Sequence, residues 1–470
     1  MRDIKVRGII KGNLIGDKSF YKSVVAIVLP IIIQNTITNV VSLVDNVMVG
    51  RVGMLEMSSV AIVNQLLLVF NLCIFGGLAG AGIFTAQFAG AKDDEGVRYT
   101  FRFKVLLSVL ILASAFLVFI LFDDPLIKMY VAEDTAPEDI VKTVSFGKQY
   151  LSVMLLGIVP FALSQVYSGT LRELGETKMP MLSGVIAILI NLIFNYFLIF
   201  GTFGFPKLGV VGAAIATVIS RYAELLIIAV YTHLRGKKYT FIHGVYKSVR
   251  IPFSLFKRIF IKGTPLLINE FLWATGTAVL LQCYSVRGLP VVSAMNIAST
   301  VNNLFNAVFL SMGTAISIMV GQHLGANETT EAKLTAGRLL FLDVAASVVL
   351  GVVMALCAPF IPLLYNVPGS VQELATYFLY VVAITMPIEA FAQGCYFTLR
   401  SGGKTFLTFV FDSLFMCFVS IPVAFVLANF TAVPVVLLYF AVMFTNLGKC
   451  ILGFVFVKKG IWIQNIIRTK

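Results

Sequence analysis

Charge is scarce in this 470-residue chain: Asp, Glu, Lys and Arg make up 13% of it, against about 25% in an ordinary soluble domain. With 59% hydrophobic residues and a mean hydropathy of +0.93, a soluble globular fold is excluded. Histidine is almost absent, and His233, His243 and His323 are scattered through polar loops, too far apart in sequence to point to a metal centre. The six cysteines (Cys73, Cys283, Cys357, Cys395, Cys417, Cys450) include no CxxC pair and lie in or beside apolar segments, so they read as small core residues rather than a disulfide framework. There is no HExxH and no GxSxG. SGGKT at Ser401–Thr405 imitates the end of a phosphate-binding loop, but Thr398 stands where the first glycine is required. These absences remove the enzyme classes and leave no cofactor to expect.

What is present is length of apolar run. Stretches of about 20 or more mostly apolar residues occur near 24–49, 57–88, 103–122, 149–170, 181–203, 209–232, 263–286, 291–320, 339–364, 375–399, 405–428 and 432–457. The chain therefore reads as an all-α membrane protein of twelve transmembrane helices. The basic N-terminus (Arg2, Lys5, Arg7, Lys11, Lys18, Lys22) runs straight into a full-length span, so no cleavable signal peptide is expected. Placing the N-terminus in the cytoplasm puts 28 of the 36 Lys and Arg in tails and loops on that side, which predicts both termini inside. The net charge of +13 then reflects topology and contact with anionic membrane lipid, not nucleic-acid binding. IPFSLFKRIFIKG, from Ile251, reads as an amphipathic helix on the inner leaflet. The segment with Asp123, Asp124, Glu133, Asp134, Glu138 and Asp139 is an external acidic loop.

An internal repeat organises these helices. Pro30 and Pro265, Gln87 and Gln322, and Gly90 and Gly325 are each 235 residues apart, and TLRELGETK from Thr170 matches TLRSGGKTF from Thr398 at a separation of 228. Six helices per copy is an even number, so both copies enter from the same side as parallel repeats. Expected are a lobe over 1–232, a basic cytoplasmic linker over 233–262 that allows one lobe to move against the other, and a second lobe over 263–470, with a cleft between the lobes.

Function must reside in the few polar groups at membrane depth. An ionised side chain there costs at least about 2.5–3.5 kcal/mol, so Asp45 in the first helix should face a cavity, a partner or an ion. Its repeat counterpart is Leu280, so the carboxylate is not a structural need of both copies. Asn191 and Asn195 are one turn apart on the fifth helix and Thr217 lies in the sixth; with Asp45 they form a hard-oxygen set suited to Na⁺, while a lone carboxylate suits H⁺. The alternative is a hydrogen-bond cluster that only glues helices. The second half has Glu270, Glu389 and Asp412, with Lys449 at the depth of Glu270 and Asp412 and able to pair with either. Arg221 and Glu224, three apart, should pair with each other. Asp343 reads as an ordinary residue near the inner interface. Pro30, below Asp45, removes a helical hydrogen bond and is a candidate hinge.

PIIIQNTITNVVSLVDNVMVGRVG, GAGIFTAQFAGAK, NLIFNYFLIFG, GVVGAAIATVIS and the duplicated TLR-x-x-G-x-T loops resemble the multidrug and toxic compound extrusion (MATE) family over nearly the whole chain. The resemblance implies a bacterial-type efflux pump in the inner membrane: two six-helix lobes around a V-shaped cleft, exporting small organic, often cationic compounds by antiport with Na⁺ or H⁺, as a monomer. It also implies a first-lobe cation site at Asp45, Asn191, Asn195 and Thr217, although some members carry Asp where this chain has Asn195. Glu270 matches a helix-seven Glu of another branch, whose helix-ten Asp is here replaced by Glu389. A flippase or exporter of a lipid-linked saccharide or other amphiphile is the alternative.

Overall fold

The computed structural model describes residues 14–131, 136–365 and 367–468, apart from the side chains of Leu43, Asn46 and Val47. Arg2, Lys5, Arg7 and Lys11 of the N-terminal tail, and Glu133 and Asp134 of the acidic loop, lie outside the described residues. Among those described there is no strand, and twelve helices are long and apolar enough to cross a membrane. In chain order they are α1 (Lys18–Gly50), α2 (Met54–Gly90), α3 (Asp94–Leu121), α4 (Pro137–Glu173), α5 (Lys178–Phe200) and α6 (Gly209–Leu234). The second set is α7 (Phe253–Ser285), α8 (Leu289–Gly325), α9 (Thr329–Cys357), α10 (Gly369–Ser401), α11 (Thr405–Phe430) and α12 (Val435–Lys458). Apolar surface all round each helix is what lipid on one side and helices on the other select. Pro30, Pro160, Pro265 and Pro387 lie inside α1, α4, α7 and α10.

The chain divides into two compact units; three of the four divisions fall inside helices, and the fourth lies at the turn between α2 and α3. The N-terminal unit comprises Ile33–Thr85 and Asp94–Phe260; the C-terminal unit comprises the chain up to Ile32, Ala86–Asp93 and the chain from Ile261. Thus α1 changes unit two residues after Pro30, and α2 does so near its end. This departs from the expected partition at 232 and 262.

Within the C-terminal unit the repeat is visible as a reciprocal contact. A Cβ on Gly90 would overlap the backbone carbonyl of Gln322, and one on Gly325 would overlap that of Gln87, so glycine at both positions is what lets the C-terminal ends of α2 and α8 cross. Gln87, fully buried, ties this end of α2 to α10 and to the segment after α12: its Nε2 donates to Ser401 O and Gln464 O, each at 3.1 Å, and its Oε1 accepts from Ile466 N at 2.8 Å. The segment after α12 is thereby tucked under the unit, with Trp462 and Ile466 in its core.

Three expectations change. The 233–262 linker is docked on the N-terminal unit: Arg98 Nε donates to Phe241 O at 3.1 Å, and Arg102 donates to Val245 O and Gly244 O at 2.9 Å each. Lys238 and Tyr239 bind Glu176 at 2.8 and 3.0 Å; burial raises the Glu176 carboxyl, but these bonds outweigh it and hold it below its ordinary value. Lys104, counted with the cytoplasmic charges, is 1% exposed and paired with Glu173 and Thr170. Asp343 is fully buried, and neither carboxylate oxygen has a partner among the described residues, because its face of α9 packs into the apolar core. The cysteines divide: Cys283, Cys395 and Cys450 are buried, whereas Cys357 is exposed; all six are free.

Candidate functional site

The N-terminal unit holds a cavity of about 290 Å³ whose wall includes Asp45, Asn64, Asn71, Tyr150, Thr217 and Arg221. Small residues explain where it lies: GVVGAAIA on α6 packs Ala213, Ala214 and Ala216 tightly, and Thr217 follows at the wall. Asn195 Nδ2 donates to Asp45 Oδ1 at 2.8 Å and to Asn191 Oδ1 at 3.1 Å, and Asn191 Nδ2 donates to Thr217 Oγ1 at 3.2 Å. Asn191 and Asn195 are 7% and 2% exposed. The four residues picked out in the sequence thus form one connected cluster, its α5 members one turn apart on the face turned to Asp45.

The O and N ends of the Asn191 amide have the same shape, so the orientation is set by the hydrogen bonds it can make. As above, its oxygen lies toward Asp45; rotated by a half turn, Nδ2 donates to Asp45 Oδ2 at 3.1 Å and Oδ1 at 3.3 Å while the oxygen accepts from Thr217 Oγ1 at 3.2 Å. A bare carboxylate favours the rotated amide, since the first setting brings an oxygen against two carboxylate oxygens. A cation or proton between those oxygens favours the first. Arg221 does not neutralise Asp45 by contact: its Nη1 is 3.3 Å from Glu224 Oε2, and its guanidinium lies 5.0 Å from the Phe161 ring centroid. Asn64, Asn71 and Tyr150 were not singled out from sequence, although Asn64 and Asn71, two turns apart on α2, are a legible polar stripe in an apolar run. Tyr150 Oη donates to Asn64 Oδ1 at 3.4 Å.

The C-terminal unit carries a different constellation. Lys449 Nζ is 2.9 Å from Asp412 Oδ1, so of its two candidate partners, Glu270 and Asp412, it pairs with Asp412. Asn269 Nδ2 donates to Asp412 Oδ2 at 3.1 Å, and Ser413 Oγ donates to Asn269 Oδ1 at 2.7 Å. Asn269, 3% exposed, was missed; its neighbour Glu270 points about 100° away around α7 and does not hold Lys449. Helix regularity fails here: α11 widens into π-helical segments at Val410–Leu414 and Met416–Ser420, and α12 is interrupted at Thr445. Such widening is frequent at functional positions. Glu389 is partly buried on α10.

The MatE family profile matches residues 30–197 and again 265–426. The chain belongs to the MATE family. The two matches begin 235 residues apart, at Pro30 and Pro265, so the family unit itself is what is duplicated. Across 454 residues the chain is 23% identical to a probable multidrug resistance protein NorM of Thermotoga maritima, covering 96% of this chain and 94% of that one. It is 26% identical over 426 residues to the probable multidrug resistance protein YoeA of Bacillus subtilis, covering 89% of each. Among solved structures, a point mutant of the Vibrio cholerae MATE transporter VcmN superposes with a TM-score of 0.84 at 18% identity, covering 95% of this chain and 98% of that one. An outward-facing multidrug resistance MATE transporter gives 0.82 at 18% identity, covering 97% and 98%. This MATE protein is a multi-pass membrane transporter and not an enzyme.

Proposed function

We propose that this MATE protein exports small organic, often cationic compounds across the inner membrane by antiport with Na⁺ or H⁺, through alternating access, with both termini in the cytoplasm. The observation that carries the reading is Asp45: a carboxylate at membrane depth on the wall of a cavity, held by amides and without a bonded basic partner among the described residues. Asp45, Asn191, Asn195 and Thr217 form the coupling site. Pro30 is the hinge about which α1 responds. Glu270 and Glu389 supply acidic contacts to a cationic substrate, and Asp412 is held by Lys449. Antiport then needs only that cation and substrate prefer different states.

The test is efflux of a fluorescent organic cation from proteoliposomes under separately imposed Na⁺ and pH gradients, for wild type and Asp45→Asn. Transport driven by one gradient and lost in the variant is expected. Wild-type rates from correctly folded Asp45→Asn overturn the assignment, and wild-type silence toward several cations under both gradients favours the lipid-linked saccharide reading.

A further inference from the structure

Asp45 is met by Asn195, but something must keep α1 in register for that meeting to occur. Eleven residues before Asp45 stands Gln34; eleven before Asn195 stands Gly184. Eleven residues are three helical turns to within about 20° and span about 16 Å, so each pair lies on one face of its helix. The two faces touch at both levels: a Cβ on Gly184 would stand 2.5 Å from Gln34 Nε2, and Asn195 Nδ2 reaches Asp45 Oδ1 at 2.8 Å. The lower contact is locked from α4, where Arg172 Nη2 donates to Gln34 Oε1 at 2.8 Å. Arg172 Nε has no partner among the described residues, so the guanidinium meets its desolvation cost only in part. Gln34 is also one of the first residues of α1 in the N-terminal unit, which begins on this helix at Ile33.

We propose that Arg172 and Gln34 are positioning residues: their hydrogen bond, seated over Gly184, sets the register of α1 on α5 and so presents Asp45 to Asn195. The consequence for transport rests on Asp45 being the coupling carboxylate; the register itself does not. The experiment compares wild type with Gln34→Met, Gln34→Glu, Arg172→Gln and Asn195→Ala, each purified as a monodisperse protein. The first readout is the rate at which a hydrophobic carbodiimide labels Asp45, followed by peptide mass spectrometry. Gln34→Met and Arg172→Gln are expected to change that rate by about three- to tenfold in the direction that Asn195→Ala changes it. Gln34→Glu, which keeps the acceptor, stays within about twofold of wild type, and the Gln34→Met/Arg172→Gln pair is no worse than either single change. Should Gln34→Met fail to fold, Gly184→Ala displaces the same side chain and is expected to act in the same direction. The second readout, the half-saturating concentration of the coupling cation in proteoliposomes, shifts in parallel while the maximal rate changes less. Unchanged labelling in Gln34→Met and Arg172→Gln, or equal effects of Met and Glu at position 34, overturns the proposal. Coupling that survives Asp45→Asn overturns the coupling role of Asp45 instead, and leaves the labelling result to stand by itself.

Discussion

The two units each place one aspartate among amides and hydroxyls at membrane depth, and they treat it in opposite ways. Asp45 opens on a cavity and is held by a neutral donor, Asn195. Asp412 is closed off by a lysine from α12 and braced by Asn269, with α11 widened around it. A carboxylate held by neutral groups still lacks a positive charge and can take a mobile cation. One already paired with an ammonium on a neighbouring helix has that charge built in, and its loss is a structural event. The two copies of the repeat differ here in residue as well as in surroundings: Leu280 stands where the second copy would repeat Asp45.

The largest expected effect on stability tests the closed site. Lys449→Met strands Asp412 and is expected to destabilise the protein by about 3 kcal/mol, read as a lowered midpoint in detergent unfolding, whereas Lys449→Met/Asp412→Asn recovers most of the loss. A single variant as stable as wild type would break the comparison. Next is Asn269→Leu, which leaves Asp412 Oδ2 short of a partner while Ser413 Oγ keeps the backbone carbonyl of residue 269 at 3.0 Å; a cost of about 1–3 kcal/mol is expected, checked by the same unfolding curve with cation dependence of transport unchanged. The smallest effect belongs to the open site. Thr217→Val removes the hydroxyl that Asn191 uses in either setting, and should raise the half-saturating cation concentration about two- to fivefold with under about 1 kcal/mol of stability lost. A shift in cation dependence for Asn269→Leu and none for Thr217→Val would reverse the assignment of roles.

Much of this was legible beforehand because membrane solvent makes composition decisive. The spans are marked by uninterrupted apolar runs, and a carboxylate inside one stands out wherever it occurs. The Asp45–Asn191–Asn195–Thr217 cluster was readable because two of its members are one turn apart on a single helix. Asn269 was hidden beside Glu270, since adjacent helical residues differ by about 100° in direction and sequence does not state which of them faces a partner. The same ambiguity placed Lys104 among the cytoplasmic loop charges and made Asp343 an ordinary residue near the inner interface, although both are buried.

Sequence alone determined that the chain is helical, that it crosses the membrane twelve times, that it is duplicated at a spacing of 235, and which rare polar groups must be accounted for, because burying unpaired backbone or charge in lipid is too costly to permit much else. Tertiary structure decided what those groups do. It carried α1 and α2 across unit boundaries, crossed α2 with α8 at Gly90 and Gly325, gave Lys449 to Asp412, and set Gln34 beneath Arg172. These are contacts between residues tens to hundreds of positions apart, whose geometry depends on helix rotation and register, and no local pattern in the chain specifies either.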